Sequence, residues 1–327
     1  MEIERGNARV QDRHEARLLP TARSISSNGN PGMLRVDRTR IIAVLATAIL
    51  SGYRGASAQS VAQIMGNDIK NSVGDAWAVW TSPIHGRSRD WLLAGASIGA
   101  SAAVMPVDDA VDRWAVKQQN DAFWSSIKQF REGGFAFSGR QITPVALGLY
   151  AVGIVAHSPE LREGLVGCAT AYGATSVVRT FVVYPLVART RPDSGHSITE
   201  APPAKSGDQY HFHVPGSSAW GRHSLPGGHI TNVAACAAFL TKRFDMGIAA
   251  PLPWLVVGGV GVGRLLDRRH WLSDEVLGGF FGYAVGKEIA LRSLHRANRT
   301  SATTASRSDL SIAPVPGGVA VRWSWMF

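Results

Sequence analysis

The sequence predicts an all-α protein, a helical bundle of about six core helices with a short C-terminal β-like tail. Six apolar segments are longer than ten residues and lack the strict alternation of strands, which favours helices. Glycine is abundant, with 35 of 327 residues, and small residues let helices pack closely. Apolar and polar residues alternate mainly in the last segment, 317–327. The six segments are 91–107, 142–156, 164–188, 229–240, 247–263 and 275–291.

Residues 1–58 have the features of a leader with a signal peptide. Three arginines within residues 35–40 precede the short apolar run 41–50, and Ala-Ser-Ala at 56–58 fits a cleavage site. The run is too short to span a membrane comfortably. Met33 is a candidate for the true start. This interpretation predicts export to the periplasm or cell envelope, and the alternative is a short buried helix after a polar tail.

The remaining chain divides into two parts. Residues 59–296 form the predicted helical domain, interrupted by a long loop at 193–224 that is rich in Pro, Gly, Ser and His. Residues 297–327 are a linker followed by the alternating tail, for which we expect a short hairpin that covers the bundle. The apolar segments are compatible with both a soluble and a membrane-embedded bundle.

The charge balance narrows the range of partners. The formal net charge is +10, which suits nucleic acid, anionic lipid or a small anion. No run of Lys and Arg interleaved with aromatic residues is present, which argues against nucleic acid. An anionic small molecule or an anionic lipid is therefore the expected partner, with membrane association as an open alternative.

Three short pieces of sequence carry residues suited to phosphate chemistry. The piece "YPLVARTRP" places Arg191 at the end of an apolar helix, and "SLPGGHITN" places two glycines and His229 at the start of another. In "GRLLDRRHWLSDE", His270 and Asp274 are four residues apart, so they share a helix face, and Arg264 precedes them. A carboxylate there can orient the histidine ring, and arginines can bind phosphate oxygens in pairs.

These pieces resemble the type 2 phosphatidic acid phosphatase superfamily, which includes class A acid phosphatases and vanadium haloperoxidases. Its pattern is K-x6-R-P, then P-S-G-H, then S-R-x5-H-x3-D. This chain matches the pattern in order and departs from it at three positions, where Tyr184 replaces the Lys and Gly227 and Gly263 replace the two Ser residues. The matching residues are Arg191, Pro192, Pro226, Gly228, His229, Arg264, His270 and Asp274.

The resemblance implies a phosphatase that hydrolyses phosphate monoesters or lipid (di)phosphates, with a phosphorylated small molecule or lipid as its substrate. It also implies a mechanism without a metal or another cofactor. His270, oriented by Asp274, would attack phosphorus and form a phosphohistidine, and His229 would protonate the leaving oxygen. The phosphate-binding residues would be Arg191, Arg264, Gly227, Gly228 and Tyr184. His196 also follows a glycine, but it lacks an apolar helix behind it, so we assign it to the loop.

Other interpretations remain open at this point. A vanadate-dependent haloperoxidase shares the scaffold, and the lost Lys and Ser also fit a catalytically impaired envelope protein. The segment with His211, His213 and His223 is a weaker candidate for a metal site. Arg189 is a candidate to replace the missing Lys, although it points elsewhere if the helix continues.

The two cysteines are expected to be free buried thiols. Counted at the helical rise, Cys236 lies about 10 Å from His229, and Cys168 about 34 Å from Arg191 along one continuous helix. If both helices end at the same site, the two sulfur atoms are too far apart to bond.

Overall fold

The computed structural model describes residues 60–118, 121–124, 142–193, 204–216, 220–305, 309–315 and 318–324. Most of these residues are helical, which confirms the predicted all-α fold. The leader, the cleavage site and His196 lie outside the described residues, so the statements about them stay predictions. The main helices are α1 Val61–His85, α2 Ser88–Val104, α3 Asp108–Lys117, α4 Ile142–Val155, α5 Pro159–Val178, α6 Gly228–Arg243, α7 Leu252–Leu266 and α8 Leu272–Ala305.

Helices α1 and α3 were not among the six predicted segments. Helix α1 begins at a capping box, in which Ser60 and Gln63 exchange side-chain to backbone hydrogen bonds of 3.2 and 3.0 Å. Helix α3 buries three aspartates rather than an apolar stripe, so apolar periodicity could not reveal it. These aspartates are Asp108, Asp109 and Asp112.

The predicted helix over 164–188 ends earlier than expected. Helix α5 stops at Val178 and continues as a π-helical turn, Arg179–Val183, and a short helix, Tyr184–Leu186. The strand β1, Ala188–Arg189, then precedes Arg191. The expectation that Arg191 ends a long helix is therefore wrong.

Helix α6 forms the centre of the bundle and packs against α5, α7 and α8. Eleven of its residues are buried. Glycines on α8 allow the closest approach, because a Cβ atom at Gly282 would overlap the carbonyl oxygen of Thr231, and one at Gly286 would overlap that of Ala235. The glycine content that predicted close helix packing is thus used at this contact.

The two cysteines form a disulfide, so the prediction of free thiols is wrong. Cys168 on α5 and Cys236 on α6 are buried, and their Cα atoms are 4.5 Å apart. The distance argument failed because the chain from Arg179 to Arg191 does not continue as one α-helix. Fewer residues of α5 therefore separate Cys168 from the end of the bundle where α6 begins.

Two small antiparallel sheets complete the described fold. Strand β1 pairs with β2, Phe212–His213, which lies in the predicted long loop. The C-terminal strands β3 Asp309–Val315 and β4 Gly318–Ser324 form a hairpin with Ile312 opposite Val321. The hairpin confirms the β-like tail, whereas its packing over the bundle stays a prediction.

Three helical stretches of the described chain are long and apolar enough to cross a membrane. They are Ser88–Lys117, Pro159–Leu186 and Gly247–Leu266. Large apolar side chains on them are exposed, including Trp91, Phe181 and Ile248. This surface is compatible with membrane association.

Candidate active site

The three pieces of sequence meet at the end of the bundle where α6 begins. The backbone N–H of Arg191 donates to the carbonyl oxygen of Gly221 at 2.8 Å, which ties the segment after β1 to the segment before α6. The N–H of Gly227 donates to the carbonyl oxygen of Asp274 at 3.0 Å, which ties α6 to the first turn of α8. The ends of separate elements therefore lie side by side here.

His270 lies two residues before α8 and is buried, with 3% of its surface exposed. Its Nδ1 lies 2.7 Å from the carbonyl oxygen of Ser224. Because a carbonyl oxygen only accepts, Nδ1 carries the proton and the lone pair of the neutral ring is on Nε2. The pKa of His270 is lowered well below its usual value, mainly by burial and further by the positive charges of Arg264, Arg191 and His229. The ring is therefore neutral and its Nε2 is a candidate nucleophile.

The sequence suggested that Asp274 orients His270 directly. In the structure, the two side chains are connected through Ser224. One carboxylate oxygen accepts from Arg189 at 2.5 Å, and the other accepts from the Ser224 hydroxyl at 2.5 Å and from the N–H of Trp271 at 2.9 Å. Asp274 therefore acts through Ser224, whose carbonyl oxygen holds the His270 ring. Burial raises the pKa of Asp274, and Arg189 with these hydrogen bonds opposes the shift.

Arg189 is fully buried and binds the residues that hold His270 in place. Its guanidinium donates to Asp274, to Asp108 at 2.7 Å and to the Ser273 hydroxyl at 2.7 Å. Its Nε donates to the carbonyl oxygen of Gln209 at 2.8 Å. Arg189 is thus committed to the protein's own carboxylates, so it does not replace the missing Lys as a phosphate ligand.

Two further ion pairs fix the chain immediately before His270. Arg268 contacts Asp112 with two hydrogen bonds of 2.7 and 3.1 Å. Arg269 donates to Asp193 at 2.6 Å. These pairs connect the His270 loop to α3 and to the segment after Arg191.

Arg191, Arg264 and His229 lie near His270, because each of them contributes to the lowering of its pKa. Arg191 is buried, and its Nη2 donates to the carbonyl oxygen of His223 at 3.2 Å. Burial lowers the pKa of Arg191 and the neighbouring Asp193 opposes that shift. Arg264 lies in the last turn of α7, and His229 is the second residue of α6. The structure therefore brings together both predicted histidines and both predicted arginines.

The two glycines before His229 make room for charged side chains. A Cβ atom at Gly228 would lie 3.0 Å from the guanidinium carbon of Arg179. A Cβ atom at Gly227 would lie 2.7 Å from a carboxyl oxygen of Glu275. The first N–H groups of α6 have no partner within the helix, so this end favours an anion.

Tyr184 lies near Arg179 and Arg191. Its ring stacks on that of His223, with centroids 4.3 Å apart and planes 4° apart. The charges of Arg179 and Arg191 act on its phenol. Arg179 also donates to the carbonyl oxygen of Gly228 at 2.9 Å.

The histidines of the long loop have separate neighbours. His213 Nε2 lies 3.2 Å from the Thr190 hydroxyl, and His223 stacks on Tyr184. Within the described ranges, no group of three or more His, Cys, Asp or Glu side chains is arranged to hold a metal ion.

Sequence reasoning missed several residues of this region. Asp108 and Asp112 are four apart, and that spacing next to an apolar segment was an available signal for a charged helix face. Arg179 and Glu275 had no such signal, since each lies inside an apolar segment and its role depends on a distant glycine.

Comparisons with known proteins match the part of the chain that contains these residues. The sequence profile of the PAP2 superfamily matches residues 164–298. A lipid A 1-phosphatase of Porphyromonas gingivalis is 32% identical over 71 residues, which is 20% of this chain and 15% of that protein. The chain thus aligns with well under two thirds of this relative. No solved structure matches the chain.

The match and the geometry cover the same part of the chain. The eight candidate site residues, from Tyr184 to Asp274, all fall within the matched range. Residues 164–298 of this chain are therefore similar to the PAP2 superfamily.

Proposed function

We propose that this protein is an exported phosphatase that hydrolyses phosphate monoesters or lipid phosphates through a phosphohistidine intermediate. The observation that carries the proposal is the buried, neutral His270 ring with the charges of Arg264, Arg191 and His229 around it. A neutral imidazole near cationic side chains suits attack on an anionic phosphoryl group.

The first step transfers the phosphoryl group to the protein. Nε2 of His270 attacks phosphorus while the bond from phosphorus to the leaving oxygen breaks, and that oxygen takes a proton from His229. The Nδ1–H of His270 stays bonded to Ser224, whose carbonyl oxygen stabilises the positive charge that the ring acquires.

The second step releases phosphate. His229, now neutral, accepts a proton from a water molecule that attacks phosphorus, and the bond to Nε2 breaks. Arg191, Arg264 and the first N–H groups of α6 bind the equatorial oxygens in both steps. Arg179 supplies positive charge beside Tyr184, where the family pattern has a lysine.

A lipid phosphate is the substrate class that the surface supports. Phe181 and Leu186 flank the turn that carries Tyr184, and their side chains are 73% and 60% exposed. An acyl chain can cover this apolar surface while its phosphate lies between the arginines. The lipid substrate named for the Porphyromonas gingivalis relative is of the same class.

Export is supported by two features of the chain. The signal-like pattern ends at residue 58, and a disulfide links Cys168 to Cys236. Disulfides persist in oxidising compartments such as the periplasm. N-terminal sequencing of the protein purified from the cell envelope tests this, and an uncleaved chain in the cytoplasm would contradict it.

Hydrolysis is tested with the full chain against p-nitrophenyl phosphate and long-chain lipid phosphates. We expect His270→Ala to lower kcat by at least about a thousandfold, because the nucleophile is lost. His295→Ala, an exposed histidine on the same helix, is the matched control and should not change it. Unchanged activity in His270→Ala would reject the mechanism, and vanadate-dependent halide oxidation without hydrolysis would indicate a haloperoxidase.

A further inference from the structure

Glu275 is a buried acid that the mechanism above does not use. It lies in the first turn of α8, with 4% of its surface exposed. Neither carboxyl oxygen has a hydrogen-bond partner among the described residues. Burying an unbonded carboxyl destabilises a fold, so packing alone does not explain this side chain.

The carboxyl group fills space that two glycines leave open. One oxygen lies 2.7 Å from where a Cβ atom of residue 227 would be, which is closer than packed carbon atoms approach. The other lies 3.7 Å from the corresponding position at Gly261. Glu275 therefore lies between the start of α6 and the last turns of α7, beside the first N–H groups of α6.

This position bears on one departure from the family pattern. The pattern has serine where this chain has Gly227, and a serine hydroxyl lies one bond beyond the Cβ atom. The Glu275 carboxyl lies beside that place. A serine at 227 would therefore require the Glu275 carboxyl to shift from its present position.

We propose that the protonated carboxyl group of Glu275 takes the place of the serine hydroxyl and donates a hydrogen bond to an oxygen of the bound phosphate group. The inference rests on the proposed phosphatase function for its ligand. It assigns to this site a phosphate ligand from α8 that its motif residues do not include.

The surroundings favour the protonated form. Burial raises the pKa of Glu275 well above its usual value, and the negative charge of Asp274 on α8 acts in the same direction. The positive charge of Arg264 on α7 opposes the shift. Below its raised pKa the group donates a hydrogen bond, and above it the carboxylate repels phosphate. Phosphate binding should therefore weaken as the pH rises through that pKa.

The test is calorimetric titration of the full chain with inorganic phosphate between pH 5 and pH 8. At pH 5 we expect Glu275→Ala to weaken binding by about tenfold or more, and Glu275→Gln, whose amide still donates, to stay within about threefold of wild type. Phosphate itself titrates in this range, but it does so equally for every variant. The part of the pH dependence that Glu275 causes is therefore the part that Glu275→Gln lacks. Glu288→Gln, farther along α8, is the matched control and should behave like wild type.

A double variant tests whether the Glu275 carboxyl replaces the serine hydroxyl of the family pattern. Gly227→Ser alone should weaken phosphate binding, because its Cβ atom meets Glu275. The double variant Gly227→Ser/Glu275→Ala should bind phosphate with an affinity within about threefold of wild type. Its binding should lack the part of the pH dependence that Glu275 causes. Ligand-free Glu275→Ala should unfold at or above the wild-type midpoint, which a purely structural role would not allow.

Four results would overturn the inference: wild-type affinity in Glu275→Ala, the full pH dependence in Glu275→Gln, no gain in the double variant over Glu275→Ala, or no phosphate binding by wild type. Phosphate binding that depends on Glu275 in a protein that hydrolyses no ester would support the inference while rejecting the proposed function.

Discussion

The buried ring of His270 combines two properties that a nucleophile needs, a fixed orientation and a neutral charge. The Ser224 carbonyl oxygen fixes the orientation at 2.7 Å. Burial, the charges of Arg264 and Arg191, and the neighbouring His229 lower the pKa and so keep the ring neutral. The same arrangement makes protonation of His270 unfavourable in the folded protein, so the stability of the fold depends on pH.

We expect the protein to lose stability as the pH falls below about 6.5. The pKa of His270 is lowered in the folded state, so the unfolded state binds more protons below that pH and unfolding is favoured. The contribution should reach about 1 kcal/mol at about pH 5.5. Denaturant unfolding of wild type and His270→Gln at two pH values measures it, and equal pH slopes for the two proteins would contradict it.

Arg179 leads to a second prediction at the residue scale. Its Nη1 contacts Gly228 and Asn232, and its charge acts on Tyr184, so the guanidinium lies beside the first turn of α6. We expect Arg179→Ala to lower kcat/KM by about tenfold or more, because the positive charge proposed to replace the lysine of the family pattern is lost. Arg179→Lys should retain part of the activity.

Arg89→Ala, at an exposed position on α2, is the control for the loss of one positive charge. A kcat/KM for Arg179→Ala that equals that of Arg89→Ala would remove Arg179 from the phosphate site.

Among the elements, sequence periodicity found the helices that bury apolar faces and missed those that do not. Helices α2, α4, α6, α7 and α8 follow the predicted segments because their apolar residues are dense. Helix α3 turns buried aspartates toward Arg189 and Arg268, so its buried face is charged rather than apolar. The π-helical turn after α5 was also not predicted, since no proline or glycine within Arg179–Val183 marks it.

The contact between α6 and α8 gives a prediction about glycine. A Cβ atom at Gly286 would overlap the Ala235 carbonyl oxygen, whereas one at Gly279 meets nothing within 4 Å. We expect Gly286→Ala to lower the free energy of unfolding by about 1–3 kcal/mol or more. Gly279→Ala should raise it by about 0.5–1 kcal/mol, because alanine favours the helix. Thermal or chemical unfolding checks both, and a neutral Gly286→Ala would show that the two helices are not packed this closely.

The disulfide between α5 and α6 gives a second prediction at this scale. Cys168 and Cys236 are 68 residues apart in the chain, so the bond restricts a long loop of the unfolded state. We expect its loss in Cys168→Ala/Cys236→Ala to lower the free energy of unfolding by about 4 kcal/mol. Wild type with reductant should approach the double variant, and the double variant should not respond to reductant. Equal stability of oxidised and reduced wild type would be the contrary result.

Across the whole molecule, the sequence predicted the candidate site residues that lie within short motifs, and it missed those that act over long chain distances. His270, Arg264 and His229 were recoverable from spacing, and the fold brings them together. The orientation of His270 depends on a backbone atom 46 residues away, so the spacing to Asp274 suggested the wrong partner. The proposed role of Glu275 depends on its position beside Gly227, which has no side chain. This proximity arises only when α6 and α8 pack together, so the sequence alone does not reveal it.

The surface of the bundle leads to the last prediction. The stretch Ser88–Lys117 has 6% of its most apolar window buried within the protein, and Gly247–Leu266 has 22%. Exposed apolar area of this extent is unfavourable in water but favourable in a bilayer. We therefore expect the full chain to sediment with the membrane fraction, to remain there after an alkaline carbonate wash and to be released by detergent. Replacing the exposed Leu252 and Leu255 on α7 by Gln should weaken this retention, and folded, monodisperse protein in the soluble fraction without detergent would show that another surface covers these helices.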